Sequence, residues 1–314
     1  MNAPRGEESL LAPRNLGAFL LVSVIWGGTW LVIRDQLSSV PAQWSITYRF
    51  IVASVGMFAL AAVRGEGVRL APGGQKWALV LGVLQFTLNF TFVYNAERFI
   101  TSGLVAVMFA LLVVPNAVLG RMLLGQPITR AFVLGSSIAA VGVALLFAQE
   151  YRASPATLGE VLLGAALTIG GILSASFANI AQAMDGAKRQ PLVTLLAWSM
   201  LWGTAINAAM ALVTEGAPVF DTRPSYGLGI LYLGLLGSVV TFPLYYGLVR
   251  KIGAGKAAYS SVIVPVVAMI LSTLFEGFVW GWLPASGAVL VLVGMIVALR
   301  GRAAPPPRRA TPEP

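Results

Sequence analysis

Ten stretches of this 314-residue sequence run for about twenty residues each with almost no charge inside them. They fall at roughly 16–33, 44–63, 77–96, 101–120, 130–148, 158–184, 191–213, 226–249, 256–276 and 282–300. A hydrocarbon layer of about 30 Å is crossed by about 20 helical residues, so each stretch is expected to be a membrane-spanning helix. The alternating polarity of a transmembrane barrel is absent. In lipid the backbone must then satisfy its own hydrogen bonds, which leaves helices. The breaks carry turn chemistry or charge, as in Arg64-Gly-Glu-Gly and Ala71-Pro-Gly-Gly, and Glu97-Arg98 splits the third run from the fourth. The first run ends in Arg34-Asp35 without a small-residue cleavage site, so it reads as a retained span rather than a signal peptide.

Charge orients the spans. With the N-terminus in the cytoplasm, sixteen Lys and Arg fall on the cytoplasmic side and four on the outer side, namely Arg34, Arg98, Arg152 and Arg223, with Arg49 inside a helix. The positive-inside rule therefore places both termini in the cytoplasm of a bacterial inner membrane. The net charge of +9 is explained by this topology, and no nucleic-acid partner is expected. Residues 1–15 form a cytoplasmic tail. Residues 301–314, with Pro305-Pro-Pro and Arg308-Arg309, form a second tail expected to be disordered and suited to anionic lipid. The sequence has no Cys and no His, which excludes disulfides, thiolate metal sites, Cys or His nucleophiles and His proton relays. Acids stand singly, so neither a metal site nor a cofactor is expected.

The chain repeats itself. Pro115 and Gln126 stand eleven positions apart, as do Pro265 and Glu276. Gly135 and Gly142 match Gly287 and Gly294, each pair seven apart. Arg98 matches Arg250, Asn89 falls opposite Thr241, and Tyr94 opposite Tyr246. Residues 16–148 and 158–300 are thus two copies of five helices, joined by an outer linker at 149–157. Five is odd, so the second copy is inverted relative to the first, an architecture that places transporter sites near the midplane between copies. The matched glycines suit close helix packing.

Several side chains stand out against this apolar background. Arg49 lies about six residues into helix 2, roughly 9 Å below its outer end, where a charge needs a partner or must snorkel. Glu97, at the outer end of helix 3, is the expected partner, and capture of a substrate carboxylate is the other reading. Gln85 and Asn89 share a face of helix 3, and Ser238, Thr241 and Tyr245 share one of helix 8. Such stripes either join helices or line a cavity. Trp26 and Trp30 share a face of helix 1 beside Gly27-Gly28-Thr29, where an aromatic can stack on an apolar or cationic substrate. Asn179 and Gln182 are their inverted counterparts on helix 6. Pro115 and Pro265, mid-helix, are either gating flexures or static bends. The expected cavity wall is Trp30, Asn89, Asn179, Thr241 and Tyr245, with Trp26, Gln85, Tyr94, Gln182 and Tyr246 close behind. No acid falls near the bilayer centre, which leaves facilitated export, exchange or coupling through an edge carboxylate.

The segment Trp26 to Arg34, reading WGGTWLVIR, followed by Pro41 and the Tyr48-Arg49-Phe50 triplet, resembles the opening of the drug/metabolite transporter superfamily, EamA type. The helix-4 block with Pro115 and its copy ending at Glu276-Gly277 are similar to that family's two domain signatures. Gln126 departs from them, standing where the family usually carries a glutamate. The resemblance covers about 16–300 and implies an all-α, ten-helix transporter with a central cavity between inverted halves, often an exporter. The expected activity is alternating-access export of amino acids or related amphipathic compounds by a monomer or homodimer. The competing class, a membrane enzyme acting on lipid-linked substrates, needs an acidic or metal-binding cluster that this sequence lacks.

Overall fold

The structure, a computed structural model, describes residues 12–125, 128–153, 157–248 and 260–300. The expectations at Gln126, Arg250 and most of both tails fall outside the described residues. Among these residues the regular structure is helical throughout: α1 (Pro13–Gln36), α2 (Ala42–Val63), α3 (Gly74–Ala96), α4 (Ser102–Leu124), α5 (Arg130–Ala153), α6 (Leu158–Ala183), α7 (Leu192–Thr214), α8 (Pro224–Leu248), α9 (Ser260–Phe275) and α10 (Trp282–Arg300). A single turn, Asp185–Lys188, stands between α6 and α7. Seven helices, α1 to α4 and α6 to α8, are long and apolar enough to cross a membrane. The other three contain shorter apolar stretches at Arg130–Leu146, Ile263–Phe275 and Trp282–Ala298. Helix α5 outlasts its apolar run and continues into the expected linker, ending at Ala153.

The helices start where the sequence supplies the means. Pro13 and Pro224 occupy first-turn positions, where a missing N–H costs nothing. Thr157 and Glu160 form a reciprocal capping box at the head of α6. Helices α2 and α7 cap each other. The Glu215 carboxylate, just past α7, accepts from the backbone N–H of Gln43 (3.1 Å) and Trp44 (3.2 Å) in the first turn of α2. Glu66, just past α2, accepts from Val193 N–H (3.2 Å) in the first turn of α7. Each acid also meets the positive end of a helix dipole.

Packing is set by small residues. Helix α2 lies along α7, α5 along α10, α1 along α9, and the second half of α3 along α6. The α5–α10 contact is backbone on backbone. A Cβ on Gly142 would stand 2.5 Å from the Gly287 carbonyl oxygen, and one on Gly135 would stand 2.3 Å from Ala298 N. The four glycines read from the sequence as packing positions meet each other there. Large side chains such as Val63, Val213 and Met122 project outward from the bundle, as expected of a surface facing lipid rather than water.

Two wall helices depart from regular α geometry. In α3 a π-helical stretch covers Gly82–Leu88, and in α8 one covers Tyr232–Val240. Pro243 lies four residues beyond Val239 and withholds the N–H that an α-helix would return to that carbonyl. In α3 a neighbour intervenes instead: Asn207 of α7 donates its side-chain amide to the Phe86 carbonyl at 2.9 Å. In α4 a tight 3₁₀ turn at Ala110–Leu112 immediately precedes Pro115.

Filling the α5–α10 seam should be costly. Gly142→Val forces a side chain against backbone that has no room to yield and should lower stability by about 1–3 kcal/mol. Gly17→Ala, with nothing within 4 Å of its added Cβ, should leave stability equal or slightly raised. Thermal unfolding of the detergent-solubilised variants measures both.

Candidate functional site

A cavity of about 180 Å³ opens between α1, α2, α3, α4, α6, α8 and α9. Helix α1 reaches it because Gly27 and Gly28 allow close approach. A Cβ on Gly27 would stand 2.5 Å from Val267 of α9, and one on Gly28 would stand 2.8 Å from the Tyr232 hydroxyl of α8. So seated, α1 turns Trp26 and Trp30 to the cavity. Trp26 packs against Phe242 (centroids 5.7 Å apart) and Tyr245 (5.1 Å), and its Nε1–H donates to the Gly237 carbonyl in the π stretch of α8 (3.3 Å). Trp30 packs against Phe109 at 5.2 Å, while its buried Nε1–H has no partner.

The polar part of the wall is mostly amide. Asn89 donates to the Gly171 carbonyl of α6 (2.9 Å) and its oxygen faces the Gln85 amide at 3.5 Å. Asn179 donates to Asn116 at 3.4 Å. These contacts join α3 to α6 and α6 to α4, and the same side chains face the cavity. Packing and cavity lining, posed as alternatives by the sequence, are therefore combined.

Of the residues read from the sequence as wall candidates, Trp26, Trp30, Gln85, Asn89, Asn179, Tyr245 and Tyr246 line the cavity, together with Arg49 and Pro265. Thr241 does not. It is fully buried and its hydroxyl donates back to the Gly237 carbonyl (2.8 Å), serving the backbone beside the π stretch. Tyr94 is also fully buried, and its hydroxyl donates to Gln36 at 3.3 Å. Gln182 stands behind the wall, donating to the Tyr246 hydroxyl. Pro115 is likewise not a lining residue, although Ala110 and Leu112 of the 3₁₀ turn before it are. Sequence reasoning missed Phe90, Phe109 and Phe242. As apolar residues in apolar helices they carried no signal.

The expected Arg49–Glu97 pair is not formed. No carboxylate lies within 4 Å of the guanidinium among the described residues. Arg49 instead reaches Ser238 of α8 at 3.5 Å and sits over the rings of Phe90 (4.4 Å) and Phe50 (5.5 Å). Glu97 is fully buried with neither oxygen accepting a hydrogen bond, in the combined field of Glu276, Arg34 and Arg49. Glu276 accepts from Ser102 at 2.6 Å. Arg49 stands inside α2 and Glu97 just past the end of α3, and the side chains turn to different neighbours.

A family model described as the EamA-like transporter family matches residues 15–148 and again 162–300. The chain belongs to this family. The transporter is 23% identical over 281 residues to Protein PagO of Salmonella typhimurium, with 90% of each chain covered. It is 22% identical to a protein of the same organism named probable amino-acid metabolite efflux pump, covering 90% of this chain and 93% of that one. It is 27% identical to the uncharacterized inner membrane transporter YedA of Escherichia coli, covering 83% and 82%. A solved crystal structure superposes on it with a TM-score of 0.67 at 19% identity, covering 91% of this chain and 98% of that one. The protein is thus a multi-pass membrane transporter, and its cavity is the candidate place of transport.

The two classes of polar residue should separate on substitution. Thr241→Val, which loses only a bond within its own helix, should leave ligand affinity at the cavity within about twofold. Asn89→Ala strips the donor from the Gly171 carbonyl and should weaken helix association by ~0.6 kcal/mol, with ~1.7 as the upper bound for such bonds in membranes. Ligand titration and thermal unfolding of the two variants give the comparison.

Proposed function

We propose that the transporter exports amino acids or related amphipathic compounds from the cytoplasm of a bacterium by alternating access around this cavity. In this reading ten helices span the inner membrane as two inverted copies, residues 16–148 and 158–300, with both termini cytoplasmic. The observation that carries it is the composition of the cavity wall. It draws α1 to α4 from one copy and α6, α8 and α9 from the other, and sets amide groups among aromatic rings. A ligand with a polar head and an apolar body is what such a wall suits.

Paired contacts support the two-copy arrangement. Glu66 and Glu215 cap reciprocal helices. Gly82 of α3 packs on the Ser199 carbonyl of α7, where a Cβ would stand at 2.8 Å. Gly234 of α8 packs on α2 at the matching place, with the Arg49 carbonyl at 3.1 Å from such a Cβ. The π stretches fall in α3 and α8, the same helix of each copy, and such stretches are frequent at functional sites. Pro265 of α9 and the 3₁₀ turn shortly before Pro115 of α4 both border the cavity and supply flexure for opening it alternately to each side. The name of the Salmonella efflux pump favours amino-acid metabolites and the outward direction.

Proteoliposome uptake and efflux against a panel of amino acids and drugs should show accumulation of at least one amphipathic amino acid or derivative. Tyr245→Ala and Trp30→Ala should change which panel members are carried while the protein still inserts and melts cooperatively. Unchanged selectivity in both would move the site elsewhere. Reporter fusions after Arg64 and Lys188 should report cytoplasm and one after Arg152 the outer side. A cytoplasmic signal at Arg152 would break the inverted topology.

A further inference from the structure

We propose that Arg49 is the anion site of the cavity and takes the carboxylate of an organic acid whose apolar body lies among Trp26, Trp30, Phe90 and Phe109. The inference rests on the transport reading above and narrows its substrate class from amphipathic compounds at large to carboxylates.

The first ground is an unmet demand. Arg49 is 2% exposed and faces the cavity, yet it is sparsely bonded, with a 3.5 Å contact from Nη2 to Ser238 and an interaction with the Tyr94 hydroxyl. Its Nε and Nη1 groups are buried without a partner. A guanidinium carries five N–H donors, and a buried charge with idle donors is costly. The Phe90 and Phe50 faces balance part of the charge by cation–π attraction, but they do not accept directed N–H bonds as an oxygen does. The third idle nitrogen on the cavity wall is Trp30 Nε1. Among the described lining residues, every buried side-chain atom left without a partner is therefore a donor, and the fitting ligand brings acceptors.

The second ground is charge. Among the described lining residues Arg49 carries the one formal charge, and no acid accompanies it. Glu97 lies in the Arg49 field but also in those of Arg34 and Glu276, and it does not line the cavity. Glu276 is engaged by Ser102, and Asp35 faces Arg223 at 3.9 Å. In a medium less polar than water, a lone positive charge attracts an anion and repels a cation far more strongly than it would in bulk. The aromatic rings, which alone would suit a cation, are thereby given to the apolar body of an acid.

The third ground is that the scaffold does not need this arginine. On the proposed repeat, Arg49 of α2 corresponds to Ser199 of α7. The same glycine-on-carbonyl crossing is made at both, by Gly234 against α2 and Gly82 against α7. A small hydroxyl suffices at one crossing, so the guanidinium at the other answers to something besides helix packing.

Three probes with one ring and different charge test the site: 3-phenylpropionate (anion), phenylalanine (zwitterion) and phenethylamine (cation). Binding is measured by calorimetry on the full-length protein in lipid nanodiscs. The wild type should bind 3-phenylpropionate at least tenfold tighter than phenethylamine, with phenylalanine between. Arg49→Gln should weaken the acid at least tenfold and leave the amine no weaker, and Arg49→Lys should retain part of the acid's affinity, since the charge survives without the planar fork. The wild-type ranking stands as a test even if Arg49→Gln fails to fold. Equal, reversed or absent binding across the three probes overturns the proposal, as does an Arg49→Gln protein that folds and binds the acid unchanged. The two readings fail separately. An acid that binds through Arg49 but is never carried into or out of proteoliposomes refutes transport at this cavity and leaves the anion site. Transport of phenethylamine in preference to the acid refutes the anion site and leaves transport.

Discussion

Within hydrocarbon no water is available to a backbone carbonyl that its own helix does not satisfy, and two helices that wall the cavity depart from α geometry in mid-span. The π stretches of α3 and α8 widen the helix where the walls of the cavity form, and side chains attend to the disturbed backbone. Asn207 reaches the Phe86 carbonyl, while Trp26 and Thr241 both reach that of Gly237. Ser238 donates to Leu233, five residues back, in step with the π pattern. Much of the polarity conspicuous in these apolar helices is therefore spent on keeping the wall intact. What faces the cavity includes the amides of Gln85, Asn89 and Asn179, the guanidinium of Arg49, and Thr29, Tyr245 and Tyr246.

On the two-copy reading, the contacts that hold the scaffold together come in matched pairs and the groups that face the cavity do not. Glu66 and Glu215 do the same work for α7 and α2, and Gly82 and Gly234 do the same work at the α3–α7 and α8–α2 crossings. The α5–α10 seam sets Gly135 against Gly294 and Gly142 against Gly287. Inside, Arg49 stands where the other copy has Ser199, and Asn89 where it has Thr241. The proposed ligand needs no such symmetry. A site grafted on a repeated scaffold is expected to break the repeat where substrate meets protein, because function resides in particular side chains rather than in the fold.

The legible part of the sequence was whatever local composition decides. Apolar runs of the length of a bilayer announce helices, and glycines seven apart announce a close-packed stripe. A helix-1 segment with two tryptophans around Gly27-Gly28 announces a backbone that neighbours can approach. These features hold for any tertiary arrangement, since hydrocarbon imposes helix formation and a missing Cβ leaves room wherever a partner arrives. The resemblance in the same segment also pointed to the family that the whole chain matches.

Partner choice was decided by the tertiary structure. A 3.6-residue count placed Ser238, Thr241 and Tyr245 on one face, but i→i+5 bonding from Tyr232 to Val240 adds residues to the turn. Ser238 inside the stretch is thereby turned relative to the residues beyond it, where Thr241 folds back on the Gly237 carbonyl and Tyr245, one turn on, reaches the cavity. Placement towards the outer ends of helices 2 and 3 made Glu97 the natural partner of Arg49, whereas the packing of α8 against α2 brought Ser238 and left the acid among Glu276 and Arg34. Sequence by itself determined which segments are apolar helices, where they can touch and which family they belong to, because those follow from local hydrophobicity, side-chain size and the residues of a matching segment. Which buried groups meet, and which are left facing an empty cavity with hydrogen bonds to give, depends on the relative rotation of helices distant in the chain, and only the folded structure sets that.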